Sequence, residues 1–391
     1  MSFSVFNSNI ILCSSENVFM YNYKNNTESI IELGKLIISE NLKQHNNSDI
    51  DTCHGITSVK FSSNGDYFLI CTNRKQLCVY KSCDCSLILN TTLTRAASQV
   101  EFTPNNDIVV ADKSGDVYMY YNDSNKYSSA QQGTLIVGHL SMLLDVLVTH
   151  DNKYVITADR DEKIRVSKFP NAYNIESYCL GHRAFVTNIR QLPHDENILV
   201  SAGGDGELKF WDYKNGRELK SISYDNKINE GDVIKLYNNL EELDLKQVVT
   251  TLPAKHLCVM KWNENSSILI SSFYGSGNIL MYYISGNVAN NNVNAEFKQI
   301  VVEDTEPLEC RLQDQQLWLL YDNKLVVYEI KPDFTFEYSQ INNNLIKLNK
   351  SWSLLRSQVK NQSFYPILYK RKFDNVQEYQ ERKKSRLMNV L

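Results

Sequence analysis

Two Gly-His pairs stand 43 residues apart in this chain, Gly138-His139 and Gly181-His182, and the second opens a stretch that closes on Trp211-Asp212. That spacing constrains the fold more than any composition, because it makes the chain an array of similar units that must stack to bury a core. Inside the second unit, residues 198–201 and 207–211 have strand character. They are split by Gly203-Gly204-Asp205-Gly206, a glycine-rich hairpin turn.

A Gly-His opening, two short strands about a tight turn and a Trp-Asp close make a WD repeat, four strands forming one blade of a β-propeller. Such a unit buries an imidazole and an indole, and both need polar partners. In the second unit the expected network is His182, Asp205, Ser201 and Trp211. The preceding unit offers His139, Thr157 and Asp161 at matching offsets, with Ser167 where the tryptophan would stand.

Weaker copies flank the pair. Residues 56–61, 67–71 and 77–80 read as three strands of one blade, and 100–102, 108–111 and 117–120 as three of the next. Residues 258–262, 268–271 and 279–283 form another set, then 309–312, 317–321 and 325–330, while 9–14 and 18–23 supply a further unit. The expectation is an all-β, seven-bladed WD-repeat β-propeller over residues 1–345. The N-terminal strand 3–6 is expected to close the ring on the last blade, since an open seam leaves a bare sheet edge. Asn-rich stretches at 44–48, 287–294 and 342–344 read as polar loops. The acidic stretch 228–245 reads as a short helix or ordered loop between blades five and six. Residues 346–391 are expected to be a partly helical basic tail, with clusters Lys370-Arg371-Lys372 and Arg382-Lys383-Lys384-Ser385-Arg386.

Composition narrows the function. Hydrophobic residues at 42% and charged residues at 22% suit a globular core, and a net charge of −4 gives no overall field for nucleic acid. No apolar run is long enough to span a bilayer, so no membrane partner is expected, and the N-terminus alternates like a strand rather than a signal peptide. Nine irregularly spaced cysteines do not form a disulfide framework and fit a reducing cytosolic or nuclear compartment. Cys78, Cys83 and Cys85 lack the paired spacing of a zinc site. No nucleophile elbow, zinc-protease or phosphate-loop motif is present, and the glycine-rich turns lie between strands rather than leading into a helix. The chain is therefore expected to be non-catalytic and to need no cofactor or metal.

One segment exceeds what a blade requires. Asp159-Arg160-Asp161-Glu162-Lys163-Ile164-Arg165 places alternating charge where the next repeat uses small residues. Such a turn is commonly a solvated surface. Surface ion pairs contribute only about 0–1 kcal/mol each, however, so stability explains this density poorly, whereas charges at an interface set orientation and partner choice.

The run ITADRDEKIRVS, with IESYCLGH after it, resembles the WD-repeat non-catalytic subunit of eukaryotic tRNA (guanine-N7)-methyltransferase, including its Wuho-type members. The resemblance implies a propeller that binds and stabilises a separate S-adenosylmethionine-dependent catalytic subunit, the pair forming m7G in the tRNA variable loop. It implies that Glu162 meets a lysine of that subunit and that Asp161 holds Arg165, with Arg160 and Lys163 as further contacts. The tail then reads three ways: as a solvated end, as a tRNA-phosphate contact through Lys370, Arg371, Lys372, Arg382, Lys383, Lys384 and Arg386, or as a bipartite nuclear-import signal. A nuclear location, with a cytoplasmic pool, is the expectation. The alternative is a general interaction scaffold such as a ubiquitin-ligase substrate receptor, which has no residue signature here.

Overall fold

The computed structural model describes residues 1–14, 17–32, 55–121, 133–242, 250–350 and 365–369. Seven four-stranded antiparallel sheets form the seven blades of the propeller, each a simple meander in chain order. Blades one to seven span 2–32, 56–92, 97–138, 143–179, 186–223, 254–302 and 309–338.

The burial gradient within a blade follows from the residues. In blade four the strands Leu143–Val148 and Tyr154–Asp159 are almost wholly buried, whereas the outer strand Ile175–Cys179 buries only its last residue. Inner strands face neighbouring blades on both sides and so read as continuous apolar runs, while the outer strand meets solvent. The core lies between blades. Val109, Val117, Val137, Leu143 and Val155 join blades three and four, and Ile156, Val166, Val186, Leu199 and Trp211 join four and five.

Ring closure differs from expectation. Strand Ser2–Phe6 is the first strand of blade one, in register with Asn9–Ser14, and blade seven supplies all four of its own strands. The seam is sealed by packing instead. Phe3 and Phe19 share a core with Trp318 and Val327, and the Phe3 amide donates to Glu309 Oε2 at 2.9 Å.

Two asparagine stretches also depart from simple loops. Asn342 lies in the short helix Ile341–Asn344, buried, and its amide mimics a strand: Val327 N donates to Oδ1 at 3.0 Å and Nδ2 donates to Val327 O at 2.7 Å. Asn349 repeats the arrangement on Leu325, at 3.1 Å each way. The outer strand there, Phe336–Tyr338, has only three residues, so these side chains continue the ladder along an edge that would otherwise be bare. The 287–294 stretch is a tight turn, since the strands Asn278–Asn287 and Asn292–Val302 reach into it from both sides. The 44–48 stretch lies outside the described residues. The acidic insertion forms the helix Glu230–Glu242, which sets Leu236 into the core and accepts Ser276 Oγ on Asp232 at 2.7 Å. Among the described residues no helix is long and apolar enough to cross a membrane.

In a meander, the turn between the second and third strands and the connection to the next blade emerge on one face. The charged stretch of blade four, residues 159–163, is such a turn, and both Gly-His pairs lie in such connections.

Candidate docking surface

Blade five forms the expected network in full. His182 Nδ1 lies 2.8 Å from Asp205 Oδ2 and its Nε2 lies 2.7 Å from Ser201 Oγ, which also accepts Trp211 Nε1–H at 2.8 Å. Burial alone would raise the Asp205 carboxyl, but the bond and charge of His182, together with the amides of Arg183 and Glu207, outweigh it and hold the group below its ordinary value.

Blade four keeps the histidine and the threonine but not the expected aspartate. His139 Nε2 is 2.8 Å from Thr157 Oγ1, and its Nδ1 faces Asp159 Oδ2 at 3.3 Å. Asp159, the last residue of its strand and buried, takes the place assigned to Asp161. The reason is local. Asp159 Oδ1 accepts the amides of Asp161 at 2.8 Å and Lys163 at 3.0 Å, so one carboxylate caps the turn and holds the histidine. Asp112 caps the matching turn of blade three in the same way, accepting Ser114 N at 2.7 Å and Asp116 N at 3.1 Å.

The capped turn presents Glu162 and Lys163 to solvent. Glu162 has φ 73°, in the left-handed region, where blade five has Gly206 at φ 79°. A side chain there carries roughly 1 kcal/mol or more of strain, which glycine would avoid. Glutamate at that position is held in place by the turn around it.

Arg165 is anchored to its own chain. Its Nε donates to Ser167 Oγ at 2.9 Å, and its terminal nitrogens donate to Gly138 O at 3.2 Å and Ala172 O at 3.0 Å. The small Ser167 sits opposite Val155 as Trp211 sits opposite Leu199 in blade five, so the guanidinium lies where an indole would crowd it. The partner implied for Arg165 was Asp161; the bonds that fix its guanidinium are those to Ser167, Gly138 and Ala172.

Arg160 turns toward the C-terminal segment, its guanidinium donating to Ile367 O at 3.4 Å. The short helix Tyr365–Leu368 and Tyr369 lie over the seam of blades four and five. Leu368 and Tyr369 are buried with Met142, Leu144 and Phe185, the Phe185 and Tyr369 rings edge to face at 5.2 Å between centroids. The basic residues Lys370, Arg371, Lys372, Arg382, Lys383, Lys384 and Arg386 lie outside the described residues.

Beneath the turn, the sequence reading passed over Asp145. It is fully buried and accepts Gln99 Nε2 from blade three at 2.9 Å, and Ile189 N at 2.9 Å and Arg190 at 2.7 Å from blade five. An aspartate inside the apolar run Leu143–Val148 is the signal that marks it. It fixes blade four against both neighbours.

A family profile described as the tRNA methyltransferase TRM82 WD40 domain matches residues 120–320, and one for the WD domain, G-beta repeat, matches residues 45–81. Among curated proteins, the tRNA (guanine-N(7)-)-methyltransferase non-catalytic subunit wdr4 of Xenopus laevis is 30% identical over 88% of this chain and 83% of its own length. The human protein of that name is 30% identical over 83% of this chain and 75% of its own. The subunit wuho of Drosophila mojavensis is 39% identical over 42% of this chain and 43% of its own. A chain in the crystal structure of the mitotic checkpoint complex aligns with TM-score 0.60 and 13% identity over 83% of this chain and 84% of its own, a likeness of fold alone.

Proposed function

The chain belongs to the family of WD-repeat non-catalytic subunits of tRNA (guanine-N7)-methyltransferase, and from that premise we propose that the capped turn of blade four is where it grips the catalytic subunit. The relatives named for this role are non-catalytic, and this chain is likewise the accessory member of the pair. No relative named above favours a ubiquitin-ligase role.

The observation that carries the site is Glu162. It is exposed, charged and held in a backbone conformation that favours glycine, on a turn whose amides are fixed by a buried carboxylate. A turn whose backbone is already fixed loses little main-chain freedom when a cation meets the carboxylate, so binding keeps more of the interaction energy. Lys163 beside it sets charge complementarity, while Arg165 works from behind by tying the strand to Gly138 and Ala172. Arg160 is engaged by the C-terminal segment and supports the corner rather than meeting the partner.

An accessory subunit can raise methylation without touching the reacting atoms. If it binds only the competent conformation of its partner, each tenfold rise in the competent fraction corresponds to about 1.4 kcal/mol. The test is Glu162→Lys: co-purification of the catalytic subunit and m7G in tRNA should both fall sharply while the melting temperature holds. Normal complex formation by that variant would remove this turn from the interface.

The tail reading rests on the same corner. Tyr369, whose ring meets Phe185, is the residue before the first basic cluster in the sequence. We take the basic tail, the cluster at residues 382–386 included, to contact phosphates of tRNA held by the complex. Deleting residues 374–391 should then flatten the salt dependence of tRNA affinity, because fewer counterions are released. The two clusters also suit nuclear import, which the location of a tail-deleted fusion would test.

A further inference from the structure

Leu140 lies between two buried side chains. His139 reaches in to Asp159, Ser141 is buried, and Leu140 itself is fully exposed. It stands in the connection from blade three to blade four, on the same face as the charged turn and joined to it: Arg160 N donates to Met142 O at 2.9 Å, and Arg165 donates to Gly138 O.

Blade five shows what this position ordinarily does. The residue after its histidine is Arg183, whose guanidinium pairs with Glu207 at 2.9 Å. Blade four has Leu140 and Lys163 at the two corresponding places, so a corner that is self-satisfied in one blade becomes an apolar knob beside a cation in the next. A second exposed leucine, Leu180, stands in the connection to blade five. The register Ile164↔Cys179, continued by one residue, sets it opposite Lys163, and half-exposed Tyr178 is the cross-strand partner of Arg165. Three apolar side chains thus frame the charged turn, and a protein interface that couples an apolar centre to a charged rim has this composition.

We propose that Leu140, with Leu180 and Tyr178, forms the apolar part of the surface that binds the catalytic subunit, and that the subunit offers an aliphatic or aromatic face next to the cation that meets Glu162. This rests on the placement of that interface at the blade-four turn. The occupant follows from continuity with the turn. A leucine wholly in water contributes nothing to the fold, and burying it against a partner strengthens association by about tenfold or more.

The test uses the full chain and the catalytic subunit from the same organism, with affinity measured by titration calorimetry at fixed salt. Leu140→Arg, the residue blade five carries, and Leu140→Ala are compared with Glu162→Lys and with Ile30→Arg, an exposed apolar site on blade one. Leu140→Arg should weaken binding by at least about tenfold and Leu140→Ala by less, with melting temperatures unchanged and Ile30→Arg binding normally. Full affinity in Leu140→Arg, with affinity lost in Glu162→Lys, overturns the apolar contact and leaves the turn in place. Full affinity in both overturns the placement of the interface and this inference with it.

Discussion

His139 Nδ1 lies 3.3 Å from Oδ2 of Asp159, and the other oxygen of that carboxylate accepts the amides of Asp161 and Lys163. The bond that holds the blade together and the bonds that shape its exposed turn therefore meet on one residue. Core and exposed turn cannot be altered independently at Asp159, although they can be a residue or two further on.

Asp159→Ala should destabilise the chain by about 2–4 kcal/mol, since it leaves buried donors unpaired and frees the turn. Partner binding should fall with it. Asp161→Ala should cost less than half as much in denaturant unfolding. Equal losses in the two variants would restore Asp161 as the network residue.

Glu162→Gly should separate stability from binding. Relief of the left-handed strain is partly offset by the greater freedom of glycine in the unfolded chain, so unfolding free energy should rise by between about 0 and 1 kcal/mol. Affinity for the catalytic subunit should drop. A variant that binds normally would take the Glu162 carboxylate out of the interface.

Arg165→Leu removes three hydrogen bonds together, two of them to main-chain oxygens of other segments. The expected loss is about 1–3 kcal/mol of stability, read as a lower denaturant midpoint. Binding should weaken as well. Lysine at this position should not restore either property, because one ammonium cannot reproduce the planar fork that reaches Ser167, Gly138 and Ala172 together.

The seven blades were legible because alternation and turn residues survive even where the repeat signature is weak. The network of blade five was legible because its four members keep regular offsets. Blade four was misread by two residues for a physical reason: its strand ends in an aspartate that caps its own turn, where blade five has Gly203. Comparison with Asp112 and Gly115 in blade three would have shown this. Ring closure was not legible because side-chain packing across blades one and seven, which leaves no pairing pattern in the sequence, does the sealing. Arg160 could not be placed from sequence, as its guanidinium partner is 207 residues away. The strand-mimicking roles of Asn342 and Asn349 were hidden for a related reason, since a polar side chain that replaces a backbone ladder looks like a loop residue in composition.

Acid should weaken the fold through His256, on the first strand of blade six. Burial, then the cations Lys255, Arg311 and Arg190, push His256 well below its ordinary value, and its Nδ1 sits 2.8 Å from Ser272 Oγ. His194 is lowered too, chiefly by burial. Above the unfolded-state value of about 6.5 both states are neutral and His256 has no effect on stability. Below it the unfolded chain takes up a proton that the folded chain refuses, so stability falls with pH by up to about 1.4 kcal/mol per unit for each such group. His256→Gln preserves a hydrogen-bonding side chain and cannot titrate. Denaturant unfolding at pH 7.5, 6.5 and 5.5 should show a steeper decline for the natural chain than for the variant, with the curves converging at the alkaline end. Parallel curves would mean that His256 protonates equally well folded and unfolded, against its burial among cations.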